Sequence, residues 1–108
     1  MNIIIYNYDD ASTEELSAFS NKVDSSIYFA LSFAEVTKLL KTKMMKIAIL
    51  KILKNTETES LETMIKENPE TEFYISMKNN LRKVNKHKIH VEALNTPLTT
   101  IAKQIILN

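Results

Sequence analysis

One pattern limits the folds open to this chain. Short apolar, β-branched runs alternate five times with stretches whose apolar residues recur at helical spacing. Residues 1–6, 28–31, 44–50, 72–77 and 89–94 read as strands. The first run, with Ile3, Ile4 and Ile5 in succession, does not alternate apolar with polar, so it predicts a strand buried on both faces. The third is apolar on both alternating sets apart from Lys46, which predicts a central strand. Between the runs, Leu16, Phe19, Val23 and Ile27 share one helical stripe. Val36, Leu39 and Leu40 form a second, and Leu98, Ile101, Ile105 and Ile106 mark a closing helix. Ser12 with Glu15, and Ser32 with Glu35, are capping boxes, in which a hydroxyl and a carboxylate three apart satisfy each other's backbone N–H groups. Residues 55–68 read as a polar loop running into a short helix that carries Leu61, Met64 and Ile65 and stops at Pro69. Residues 79–87 are basic and weakly patterned. Five strands alternating with five helical segments predict an α/β domain, residues 1–108 as one unit, with a parallel sheet covered on both faces.

Composition removes several classes of function. The chain of 108 residues has no Gly, where about 7% is usual, so it cannot build the phosphate-cradling turns of P-loops and dinucleotide-binding domains. It has no Cys, which excludes disulfides, thiol catalysis and Cys-ligated metals and fits a reducing compartment. With 14 Lys+Arg against 13 Asp+Glu, the net charge of +1 argues against a surface built as a whole for nucleic acid or anionic lipid. No apolar run nears the roughly 20 residues that cross a bilayer, and the start lacks the basic region of a signal peptide. A cytoplasmic protein is expected, either standing alone or cut at a domain boundary after Asn108.

In an open parallel sheet the functional crevice lies outside the carboxyl ends of the strands. Residues 7–10, 51–55, 76–78 and 95–97 are therefore the ones to inspect. Here the run Ile3-Ile4-Ile5-Tyr6-Asn7-Tyr8-Asp9-Asp10-Ala11-Ser12-Thr13 resembles the opening of the receiver domains of bacterial two-component response regulators. The resemblance covers nearly the whole chain in element order, although its one sharp local match is the acidic pair. It implies a flavodoxin-like, receiver-like sheet of order 2-1-3-4-5. It also implies a site in which two acids hold Mg²⁺ beside a phosphoacceptor Asp at the end of the third strand. By resemblance Asp9 and Asp10 match the acids, Ser76 matches the Ser or Thr after the fourth strand, and Thr96-Pro97 stands where the family has Lys-Pro.

Two central residues of that site are absent. Lys51 occupies the phosphoacceptor position, with no Asp or Glu again until Glu57, and Thr96 replaces the lysine. An ammonium cannot carry an acyl phosphate. Two like unit charges about 4 Å apart repel by about 4 kcal/mol at an effective dielectric of 20, so a divalent ion beside Lys51 is opposed by more than that. The expectation is a pseudo-receiver with no cofactor, and with Mg²⁺ only if the acid pair still binds it. Lys51 would pair with Asp9 or Asp10 in place of the ion. The domain would act by contact, with a protein partner or a second copy, through the face of residues 79–87, the fifth strand and the closing helix.

An alternative expectation is a phosphoryl-accepting, Mg²⁺-dependent receiver with a non-standard acceptor. A flavodoxin-like cofactor binder is disfavoured by the lack of Gly and Trp near the strand ends. The lysines of 38–54 and the basic residues of 78–88 lack interleaved exposed aromatics and read as solvated faces, so nucleic acid is not an expected partner. His87 and His90 have no third ligand near in sequence, and the tyrosines Tyr6, Tyr8, Tyr28 and Tyr74 read as core or rim rather than as catalytic phenols.

Overall fold

A computed structural model describes residues 1–8, 21, 26–78 and 89–107. Five strands, β1 (Asn2–Tyr6), β2 (Ser26–Ala30), β3 (Ile47–Ile52), β4 (Glu72–Met77) and β5 (Ile89–Glu92), form one sheet of order β2-β1-β3-β4-β5. Every neighbouring pair is parallel. The helices described along their length are α1 (Phe33–Thr42), α2 (Thr56–Glu67) and α3 (Leu98–Leu107). The protein is thus α/β with an all-parallel sheet, as the sequence rhythm predicts, but only three of the five expected helical segments are described. The segment 79–87 lies outside the described residues. So does most of 12–27, of which Asn21 is helical.

The strands divide their side chains between two apolar layers. On one face Ile4, Ala48, Leu50, Phe73 and Ile75 pack with Val36 and Leu40 of α1 and Leu61, Met64 and Ile65 of α2. On the other, Ile3, Ile5, Ile49 and Tyr74 pack with Leu98 and Ile101 of α3. Ile3 and Ile4 are fully buried and Ile5 almost so, because β1 is covered on both faces. Each such side chain contributes about 1.5–3 kcal/mol on leaving water. β3 sits in the middle of the sheet, and its first four residues are all buried.

Several boundaries differ from those the sequence predicts, each for a physical reason. β2 begins at Ser26, so Ile27 belongs to the sheet, in register with Ile3, and not to a helical stripe. β3 begins three residues later than expected and runs past Leu50 to Ile52. Met44 is 85% exposed and precedes the strand. Lys51 is consequently a strand residue and not the first residue of a loop. β5 ends at Glu92, two residues early, and the amide of Thr96 closes a turn onto the Ala93 carbonyl at 3.0 Å. Residues 56–60, expected as loop, are the first turns of α2, with Glu57 and Glu59 placed where a helix start favours negative charge. Ser32 caps α1 as predicted: its hydroxyl accepts the Glu35 amide at 3.1 Å. The Glu35 carboxylate reaches back one residue further than a standard box, to the Leu31 amide at 3.3 Å. No described helix is long and apolar enough to cross a membrane.

Candidate functional site

The carboxyl ends of β1, β3, β4 and β5 bring part of the expected site together. Strand alternation sets which side chains meet, since residues two apart share a face. Counting from Ile49, Tyr74 and His90, the residues Lys51, Ser76 and Glu92 fall on the α3 side of the sheet. Register then places Lys51 beside Ser76 and Ser76 beside Glu92, giving a polar row across three strands.

Tyr8 joins that row because of the residue before it. Strict alternation would send Tyr8 to the same face as Ile4 and Tyr6, which pack toward α1 and α2. Asn7, however, has φ 68°, the left-handed region that Asn tolerates better than most residues other than Gly. Its side-chain amide donates to the Lys51 carbonyl at 3.3 Å and holds the turn against β3. The reversal swings Tyr8 to the opposite layer, where its ring is buried with Ile5, Ile49 and Leu98.

Once there, the phenol of Tyr8 lies 2.6 Å from the hydroxyl of Ser76, a short buried hydrogen bond in which either oxygen can donate. Ser76 is completely buried. The Lys51 ammonium stands 5.6 Å from the centroid of the Tyr8 ring, within cation–π range. The three side chains therefore form a closed stack in which lysine lies over tyrosine and tyrosine is bonded to serine.

Of the sequence-predicted site residues, Lys51 and Ser76 are brought together. Asp9 and Asp10 lie outside the described residues, and with them the expected pairing to Lys51. The described neighbour of the Lys51 ammonium is the Tyr8 ring. Thr96 and Pro97 lead into α3: the Pro97 carbonyl accepts the amides of Thr100 and Ile101, so Pro97 occupies the cap position. Sequence reasoning did not assign Tyr8 to the site. Its place directly after the first strand, behind an Asn able to turn left-handed, is the signal that points to it.

On the other face of β1, Tyr6 donates a hydrogen bond to Glu57 Oε2 at 3.0 Å and meets Phe33 edge to face, ring centroids 6.1 Å apart. Burial raises the Tyr6 phenol above its usual range near pH 10, and the hydrogen bond and charge of Glu57 add to the shift. At the amino ends of β4 and β5, His90 stacks on Tyr74 with centroids 4.2 Å apart, and both side chains bond to Glu72 Oε1 at 3.0 Å. Among the described residues no group of three or more His, Cys, Asp or Glu is placed to hold a metal ion.

No protein-family model, curated protein or solved structure matches the chain.

Proposed function

We propose that this chain is a receiver-like, flavodoxin-like signalling domain of two-component type that works by protein contact and does not pass a phosphoryl group through an aspartate. The observation that carries the reading is the Tyr8–Ser76 hydrogen bond of 2.6 Å beneath the Lys51 ammonium. In a working receiver the end of the third strand offers a carboxylate, and the hydroxyl after the fourth strand is free to meet the phosphoryl oxygens. Here an amine replaces the carboxylate, and a phenol already occupies the hydroxyl. The sheet order β2-β1-β3-β4-β5 supports the same reading.

Of the residues described at this crevice, Lys51 opposes Mg²⁺. A hard cation takes carboxylate, carbonyl and water oxygens in octahedral geometry, and an ammonium over an aromatic ring repels it. Contact through the face that includes β5 and α3 is the proposed mode of action. Val91 on β5 is 42% exposed and offers an apolar point on that edge. Treating the protein with phosphoramidate and Mg²⁺ and measuring the intact mass tests the reading. The expected mass is unchanged, whereas a base-labile gain of about 80 Da, one phosphoryl group, would establish an acceptor and reverse it.

A further inference from the structure

We infer that the groove between the carboxyl ends of α1 and α2 binds a free α-amino acid with an aliphatic side chain, its charged head held between Lys41 and Glu67 and its side chain laid along Met44 and Met45. The inference stands apart from the receiver-like reading. Two cavities form the groove, of about 250 and 190 Å³. Each is several times the roughly 30 Å³ that one water takes up. Both are lined by Leu40, Glu67 and Asn68, so they adjoin and can take the two ends of one small molecule.

The first cavity calls for two opposite charges. Thr37 and Lys41 of α1 line one side of it, and Glu67 and Asn68, at the end of α2, line the other. Lys41 and Glu67 are exposed, and among the described residues neither forms an ion pair. The donors of the two neutral residues are already committed: the Thr37 hydroxyl to the Phe33 carbonyl at 3.3 Å, and the Asn68 side-chain amide to the Met64 carbonyl at 2.8 Å. What remains on both is acceptor oxygen. Beside Glu67 that oxygen favours a cation, as does the carboxyl end of α2, where the helix dipole is negative. Lys41 alone answers an anion. A ligand that carries an ammonium and a carboxylate on one carbon satisfies both sides, whereas an amine alone meets Lys41 and a carboxylate alone meets Glu67 as like charges. The second cavity suits the side chain, because Leu40, Met44, Met45 and Pro69 line it. Lys43 lines it too, but its ammonium lies 5.2 Å over the Tyr28 ring, and Glu70 is exposed to water. Met44 is 85% exposed, so an aliphatic chain laid on it removes apolar surface from water, and flexible thioethers adapt to chains of different shape.

Titrating leucine into isotopically labelled full chain and following the amide resonances tests the inference. Saturable shifts at Leu40, Met45, Met64 and Asn68 are expected, with a dissociation constant of about 1–10 mM, since exposed ion pairs and one small side chain add modest affinity. Isocaproate, which lacks the ammonium, and isopentylamine, which lacks the carboxylate, are each expected to bind about two- to fivefold more weakly. Glycine, which lacks the side chain, is expected to bind about tenfold more weakly. Glu67→Gln should weaken leucine about two- to fivefold without weakening isocaproate, and Lys41→Gln should do the same to leucine without weakening isopentylamine. That crossing of ligand with variant separates recognition of each charge from a general disturbance of the groove. Leucine that gives no saturable shifts at about 50 mM, well above the expected constant, would overturn the inference. So would equal affinities for leucine, isocaproate and isopentylamine, or a leucine affinity that neither substitution lowers.

Discussion

Replacing Tyr8 by Phe removes one oxygen atom and leaves the Ser76 hydroxyl, fully buried, without the partner it has at 2.6 Å. A buried hydroxyl that loses its partner costs about 1–3 kcal/mol, while removing both polar groups together costs much less. Tyr8→Phe is therefore expected to destabilise by about 1–3 kcal/mol and Ser76→Ala by about 0.5–1.5 kcal/mol, with the double variant well short of their sum. Unfolding entropy of about 2.1 cal/mol/K per residue over 108 residues makes 1 kcal/mol worth about 4 °C in Tm. The single Tyr8 variant should thus melt about 4–13 °C lower. Urea unfolding of the four proteins supplies the cycle, with coupling of about 1 kcal/mol expected. Strictly additive losses would refute the closed stack, since they would mean that the two oxygens do not depend on each other.

Three further outcomes follow from single contacts. Ser32→Ala removes the hydroxyl that accepts the Glu35 amide and should cost about 1 kcal/mol in a urea titration. Ile49→Ala empties a fully buried site in the central strand and should cost about 2–5 kcal/mol by the same titration. The Tyr6 phenol is raised above its unfolded value near 10, so the stability it contributes is complete below about pH 10 and is lost as pH rises through the folded value. Tyr6→Phe should therefore flatten the alkaline fall in urea midpoint above about pH 10, leaving the neutral-pH slope unchanged.

How far the fold could be read from the residues depended on whether their pattern was local. Ile3 to Ile5 announce a strand buried on both faces because three consecutive β-branched residues in a short apolar run favour a covered strand over a helix. Ser32 and Glu35 announce a helix start because the capping geometry is set within four residues. Ile27 was misread because a spacing of four from Val23 also fits a helix, and only its partner Ile3, far off in sequence, decides for the strand. Met44 and Lys51 misled in opposite directions. An apolar side chain suggested strand where the residue is exposed, and a charge suggested a loop where Ile52, 4% exposed, shows that burial continues.

The site was legible as a location but not as an arrangement. Lys51 and Ser76 were placed by their positions at strand ends, and the sheet sets them side by side. The role of Tyr8 depends on a contact spanning 68 residues and on a positive φ at Asn7, neither of which a linear pattern displays.

In the proposed pseudo-receiver the Tyr8 phenol already occupies the Ser76 hydroxyl. The most direct test is to add Mg²⁺ with beryllofluoride to isotopically labelled protein and follow the amide resonances of Tyr8, Lys51 and Ser76. These resonances are expected to stay where they are with both in large excess. Large, saturable shifts centred on Ser76, with the Tyr8 ring displaced from it, would contradict that reading.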